Sequence, residues 1–123
     1  MISVYLGFNA LMYAAFAVWC SVKPAGTAAY LGLAATTPGG RSEYLAIYGG
    51  LQAGLAIFYG LALFAPEHRR TALWMSVFLY GGIAAFRAIA IAQEGFGNLG
   101  GARAFFLAEI TLFVAALLLV RRA

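Results

Sequence analysis

The chain has 123 residues, of which 64% are hydrophobic, and its mean hydropathy is +0.89. Its charged side chains are 8 lysines and arginines and 4 carboxylates, far below the quarter of all residues that is usual in a soluble domain. A domain of this size keeps much of its surface in contact with water and cannot bury so many apolar residues. The composition therefore excludes a soluble domain, a disordered chain and a disulfide scaffold, and it predicts an integral membrane protein.

Several common chemistries have no matching residues. The net charge is +4, but the basic residues are scattered and form no dense patch, so nucleic-acid binding is not expected. A single cysteine, Cys20, and a single histidine, His68, supply neither a metal-ligand cluster nor a pair of haem ligands. No serine or cysteine within an apolar window has a histidine base beside it. We therefore predict no metal or cofactor of the chain's own, and no enzymatic activity.

Four apolar windows are long enough to cross a bilayer as helices, which takes about 20 residues. They cover residues 2–22, 44–65, 71–93 and 103–120. Prolines and glycines mark their edges, as at Pro24, at Pro66 and in the glycine-rich loop 95–101. The sequence thus predicts an all-α fold in which residues 1–123 form a single domain, a four-helix antiparallel transmembrane bundle.

The basic residues predict the orientation of the spans. With four spans, both termini and the middle loop share one side, where Arg69, Arg70, Arg121 and Arg122 stand against Glu67, a formal +3. The opposite side carries three basic residues against two carboxylates, a formal +1. Cytoplasmic loops carry the excess of lysine and arginine. We therefore expect both termini in the cytoplasm and the protein in a bacterial inner membrane.

Two charged residues fall inside the predicted spans at matched depth. Arg87 lies before the outer end of the third span and Glu109 after the outer start of the fourth, each roughly 9 Å inside at 1.5 Å per residue. A lone charge in hydrocarbon is costly, so such residues usually pair. We predict an Arg87–Glu109 ion pair, with Glu43 placed to share the guanidinium. A structural lock between two helices is favoured over a ligand or proton site.

Each of the first three spans carries a polar stripe. At 100° per residue, Tyr48, Gln52 and Tyr59 share one face of the second span, and Ser76, Tyr80 and Arg87 share one face of the third. On the first span the stripe consists of Tyr5, Asn9, Tyr13 and Cys20. We expect these stripes to point inward, so that Arg87, Glu109, Glu43, Gln52 and Tyr48 form an intramembrane polar core.

Next to the polar face of the second span lies a small-residue arc, Ala46, Gly50 and Gly54. Small residues spaced four apart allow membrane helices to approach closely. The spacing indicates that another helix packs closely against this arc, but it does not identify that helix. Internal packing is favoured over a dimer interface.

The segment EYLAIYGGLQAG, residues 43–54, is similar to that of small four-helix bacterial membrane proteins of unknown function, distantly like the DoxX/DoxD group. Such proteins show a proline after the first span, an acidic residue before a Tyr-Gly-Gly turn, an arginine late in the third span and a glutamate in the fourth. The corresponding residues here are Pro24, Glu43, Tyr48-Gly49-Gly50, Arg87 and Glu109. The loop before the fourth span lacks the Gly-x-Pro turn that is commoner in the group. The resemblance implies a bundle around an Arg–Glu core and no particular reaction.

Two functions stay open. The first is a non-catalytic accessory subunit bound to a larger membrane complex through apolar outer faces, with respiratory or photosynthetic assemblies as the commonest hosts. The second is binding or transport of an anion, quinone or lipid at the polar core formed by Arg87, Glu109, Glu43, Gln52 and Tyr48. The expected partners are the bilayer and either another membrane protein or a second copy of the chain. Quinone, lipid or pigment would be bound only at these contacts with the bilayer or a partner.

Overall fold

The computed structural model describes residues 1–123, and its regular elements are all helical. Its α-helices are α1 (Ile2–Val22), α2 (Pro24–Tyr30), α3 (Pro38–Tyr44), α4 (Gln52–Phe64), α5 (Arg69–Glu94) and α6 (Ala102–Val120). Four continuous helical stretches are long and apolar enough to cross a membrane: Ile2–Val22, Pro38–Phe64, Pro66–Glu94 and Ala102–Val120. The predicted all-α class is confirmed, and these four helices are consistent with a four-span transmembrane bundle.

The chain divides into two compact units, Met1–Glu67 and His68–Ala123. In the first unit α1 packs along α4 and along the helical residues that precede α4. In the second unit α5 packs along α6. Each unit is thus built around one pair of long helices.

The second long helix begins earlier than the sequence predicted. Its first residue is Pro38, and the preceding Thr37 caps it, because the Thr37 hydroxyl oxygen accepts a 3.0 Å hydrogen bond from the Gly40 N–H. Proline is favoured in the first turn of a helix, where its missing N–H costs nothing. The Pro38-Gly39-Gly40 sequence therefore starts a helix, ahead of the predicted start of the second span at residue 44.

α1 buries the side that carries its polar residues. Tyr5, Asn9, Tyr13 and Cys20 are all buried, and Asn9 donates a 2.8 Å hydrogen bond to the carbonyl oxygen of Tyr5. The Tyr13 ring stacks on Tyr59 of α4 with a centroid separation of 5.7 Å. Polar groups are costly against hydrocarbon, so a membrane helix turns them away from lipid. The predicted inward orientation of this stripe is confirmed.

α5 and α6 approach closely where α5 has no side chain. A Cβ atom on Gly81 would lie 2.9 Å from Cε2 of Phe113 in α6, whereas a Cβ on the neighbouring Gly82 would have nothing within 4 Å. Gly81 therefore leaves room for an aromatic ring of the facing helix. Close approach at a small residue is typical of membrane helix pairs.

Residues Leu45–Leu51 form a π-helix between α3 and α4. The wider i→i+5 turn of a π-helix rotates each residue by less than the 100° of an α-helix. This changes which glycine faces α1: Gly49 is buried, and a Cβ there would lie 2.7 Å from the Ser21 hydroxyl oxygen. This π-helical segment was not predicted, because α-helical spacing was assumed throughout the second span.

The small-residue arc of the second span is not buried within the first unit. Ala46, Gly50 and Gly54 are all exposed, and a Cβ on Gly54 would have nothing within 4 Å. The close approach to α1 is made by Gly49 instead, because the π-helix shifts the faces that were counted at α-helical spacing. Internal packing of the arc stays a prediction. The dimer interface stays a prediction.

Candidate functional site

The second unit contains an ion pair between its two long helices. Nε of Arg87 in α5 donates to Oε2 of Glu109 in α6 at 2.7 Å, and Nη2 of Arg87 donates to Oε1 of Glu109 at 2.7 Å. The two side chains are only 27% and 13% exposed. This is the pair that the matched depth of the two residues predicts.

The geometry of the pair is the two-pronged one that guanidinium and carboxylate groups prefer. Two parallel charge-assisted hydrogen bonds fix the relative orientation of both groups and are about twice as strong as neutral ones. One edge of the Arg87 guanidinium is thus engaged with both carboxylate oxygens of Glu109. An anion or carbonyl that approached this edge would have to compete with Glu109, so the arrangement favours locking α5 to α6.

The other three predicted core residues lie in the first unit. Glu43 is exposed on α3, Gln52 is half-buried at the start of α4, and Tyr48 is half-buried in the π-helix. The Tyr48 ring stacks on Tyr44 with a centroid separation of 4.7 Å. That all five residues line one interior stays a prediction. No group of three or more His, Cys, Asp or Glu side chains lies close enough to hold a metal ion.

A cluster that sequence reasoning missed joins α2 to α3. The Thr27 hydroxyl donates to the carbonyl oxygen of Lys23 at 2.9 Å, and it shares a 2.6 Å hydrogen bond with the Tyr44 hydroxyl. Tyr44 also packs with the buried side chains of Cys20 and Ala28. Residues 23–43 lie between the first two predicted spans, where no helix was predicted from the sequence. Pro24 was the available signal, because proline starts helices as well as ending them.

Loss of the Thr27–Tyr44 contact is expected to weaken the first unit. Thr27→Val leaves the buried Tyr44 hydroxyl without its Thr27 partner and is expected to cost about 1–3 kcal/mol, whereas Tyr44→Phe removes the Tyr44 hydroxyl itself and is expected to cost about 1 kcal/mol. The combined variant is expected to cost less than the sum, since both changes remove the same bond. Unfolding of the purified protein by SDS in mixed micelles measures the three values. Additive costs would contradict a hydrogen bond between the two hydroxyls.

A family model described as a domain of unknown function, DUF4345, matches residues 1–120. Neither the curated proteins nor the solved structures contain a significant match to the chain. The matched residues include both units and every helix described above.

Proposed function

The chain belongs to the DUF4345 family, whose function is unknown, and from that premise we propose that it is a non-catalytic subunit of a larger membrane protein complex. The observation that carries this proposal is an exposed aromatic face on α5. Its large members are Met75, Phe78, Phe86 and Ile89, and Phe78 and Phe86 are 70% and 77% exposed.

The spacing of these residues makes one continuous face. At 100° per residue they fall within about an 80° arc. Gly82 lies on the same arc, is exposed and would have open space around a Cβ, so it forms a notch between Phe78 and Phe86. Contact with lipid requires only apolar side chains. Aromatic residues and methionine are enriched at protein interfaces, and glycine admits a neighbouring helix.

The ion pair supports the same proposal. Arg87 and Glu109 bind each other, so the charged chemistry of this unit is used within the fold. The surface that the second unit exposes to its surroundings is mainly apolar. A protein of this kind acts by contact with another membrane protein, and respiratory and photosynthetic assemblies, with quinone, lipid or pigment at the contact, are the first hosts to examine.

The proposal predicts that the α5 face determines complex formation. Tagged wild-type chain, isolated from its native membrane in mild detergent, is expected to carry a membrane partner at fixed stoichiometry. Phe78→Ala with Phe86→Ala removes two aromatic contacts and is expected to reduce the partner at least about tenfold, as for loss of interface hot spots. Quantitative mass spectrometry of the isolated material measures the ratio.

The matched control is Val4→Ala with Leu11→Ala on α1, where both side chains are 75% exposed. This variant is expected to retain the partner. Equal loss in both double variants would show a general effect of surface apolarity. Wild-type chain recovered alone, or only with copies of itself, would overturn the proposal.

We also propose that both termini and the loop around His68 lie in the cytoplasm, with the protein in a bacterial inner membrane. The support is the excess of arginine on that side, since positive residues set orientation. In a Cys20→Ala background, Asn98→Cys is expected to react with an impermeant maleimide in intact cells, and His68→Cys only after permeabilisation. The reverse pattern would contradict this orientation.

A second candidate function is binding of a small molecule at the Arg87–Glu109 pair. It is favoured by the charge itself, because ionisable residues within membrane spans often mark binding sites, and by the 27% of the Arg87 side chain that stays exposed. A carboxylate, phosphate or quinone carbonyl is the chemistry that an arginine would take. Loss of ligand from a variant that still folds would support this candidate over a lock.

A further inference from the structure

A pocket of about 290 Å³ lies in the first unit between α2, the residues that follow it, and α3. Apolar side chains form most of its wall: α2 contributes Ala25 and Ala28, the connection contributes Leu33 and Ala35, and α3 contributes Tyr44. The Tyr44 hydroxyl is already bonded to Thr27, so Tyr44 adds aromatic ring surface. The pocket is thus suited to an apolar group.

One cationic side chain lines this pocket. Arg41 is exposed and lines the pocket, and its Nη1 donates a 2.9 Å hydrogen bond to the carbonyl oxygen of Thr36. That bond holds the guanidinium beside the opening and uses one of its five N–H groups. The pocket therefore combines an apolar wall with a fixed positive charge, which is the pattern that an anionic amphiphile requires.

The position of the pocket indicates which anionic amphiphile is present near it. α2 begins directly after α1 ends at Val22, and the exposed rings of Trp19 and Tyr30 pack together there with a centroid separation of 6.0 Å. Exposed tryptophan and tyrosine at the end of a membrane helix mark the headgroup level of the bilayer. At that level the abundant anionic amphiphiles are phospholipids.

We propose that this pocket binds one phospholipid, with its phosphate on Arg41 and the upper part of one acyl chain in the pocket. The arginine fork matches the oxygens of a phosphate. The volume of the pocket lies at the lower limit of the range for drug-sized ligands. A pocket of this size accommodates part of an acyl chain better than a ring system. Lys23 and Arg41 against Glu43 give this end of the unit a positive balance, so an anionic headgroup is preferred. The site is separate from the α5 face and does not depend on a protein partner.

Native mass spectrometry of the delipidated protein in detergent tests the proposal with short-chain phosphatidylglycerol as the probe. Wild-type protein is expected to take up one molecule. Arg41→Gln is expected to weaken uptake about tenfold, the loss of one charge-assisted contact, and Ala25→Phe is expected to abolish it by filling the pocket.

The matched controls are Arg103→Gln, an exposed arginine of the second unit, and Ala29→Phe, an exposed α2 residue outside the pocket. Both are expected to bind like wild type, and the unfolding midpoint of every variant confirms that it is folded. Ala25→Phe tests the pocket independently of the charge. Undiminished binding by Arg41→Gln or by Ala25→Phe would overturn the proposal. Equal binding of the phosphate-free diacylglycerol, or of inorganic phosphate alone, would also overturn it.

Discussion

Glu109→Ala is expected to destabilise the second unit by about 3 kcal/mol, because it removes the carboxylate that pairs with the Arg87 cation between apolar helices. The partial exposure of the two side chains, 27% and 13%, places this loss at the lower end of the range for broken buried pairs. Arg87→Ala is expected to be destabilising as well, because it removes the cation that pairs with the Glu109 carboxylate. Unfolding by SDS in mixed micelles measures both values.

The decisive comparison is the double variant Arg87→Leu with Glu109→Leu. Replacing both partners by apolar residues leaves no uncompensated charge, so this variant is expected to be more stable than either single variant. Arg103→Ala on α6 serves as the matched control, because Arg103 is exposed and makes no ion pair; its effect is expected within about 0.5 kcal/mol. A single variant that keeps full stability would show that the pair does not lock α5 to α6.

Gly81→Leu is expected to have the second large effect. It should lower the free energy of unfolding by about 1–3 kcal/mol and loosen the packing of α5 against α6. The Cβ alone would stand 2.9 Å from Cε2 of Phe113, so the ring must move or the helices must separate. The unfolding midpoint in detergent, followed through the fluorescence of Trp74 in α5, measures the loss.

Gly82→Leu is the matched control, because a Cβ there meets nothing within 4 Å. It is expected to leave the midpoint unchanged or slightly raised, since glycine is a poor helix former. Phe113→Ala in the Gly81→Leu protein is expected to restore part of the lost stability by making room for the new side chain. Equal effects at Gly81 and Gly82, or no rescue, would contradict the close approach of the helices at Gly81.

Features that depend on hydropathy and on the cost of isolated charges were predictable from the sequence. The four long helices follow from apolar length alone, and Arg87 and Glu109 were paired correctly because lipid gives an unpaired charge no alternative partner. The inward orientation of Asn9 followed from the same rule. These inferences require only the cost of placing polar groups in lipid and the number of residues per helical turn.

Features that depend on a local change of backbone geometry were not predictable. The π-helix at Leu45–Leu51 shifts the faces of the second span, so Gly49 approaches α1 while Gly50 and Gly54 stay exposed. The contact between Thr27 and Tyr44 depends on a short helix at Pro24, a residue that was interpreted only as a stop. In both cases a single assumption about local conformation changed which side chains meet.

The proposed function is contact with a membrane partner through the apolar surface, with the Arg87–Glu109 pair serving the protein's own fold. The most direct test is isolation of the double variant Arg87→Leu with Glu109→Leu from native membrane, side by side with wild type. If the ion pair serves only the fold, the folded variant carries the same membrane partner at the same stoichiometry as wild type. A variant that folds but has lost the partner, or a wild-type chain that has no partner to lose, would contradict the proposal.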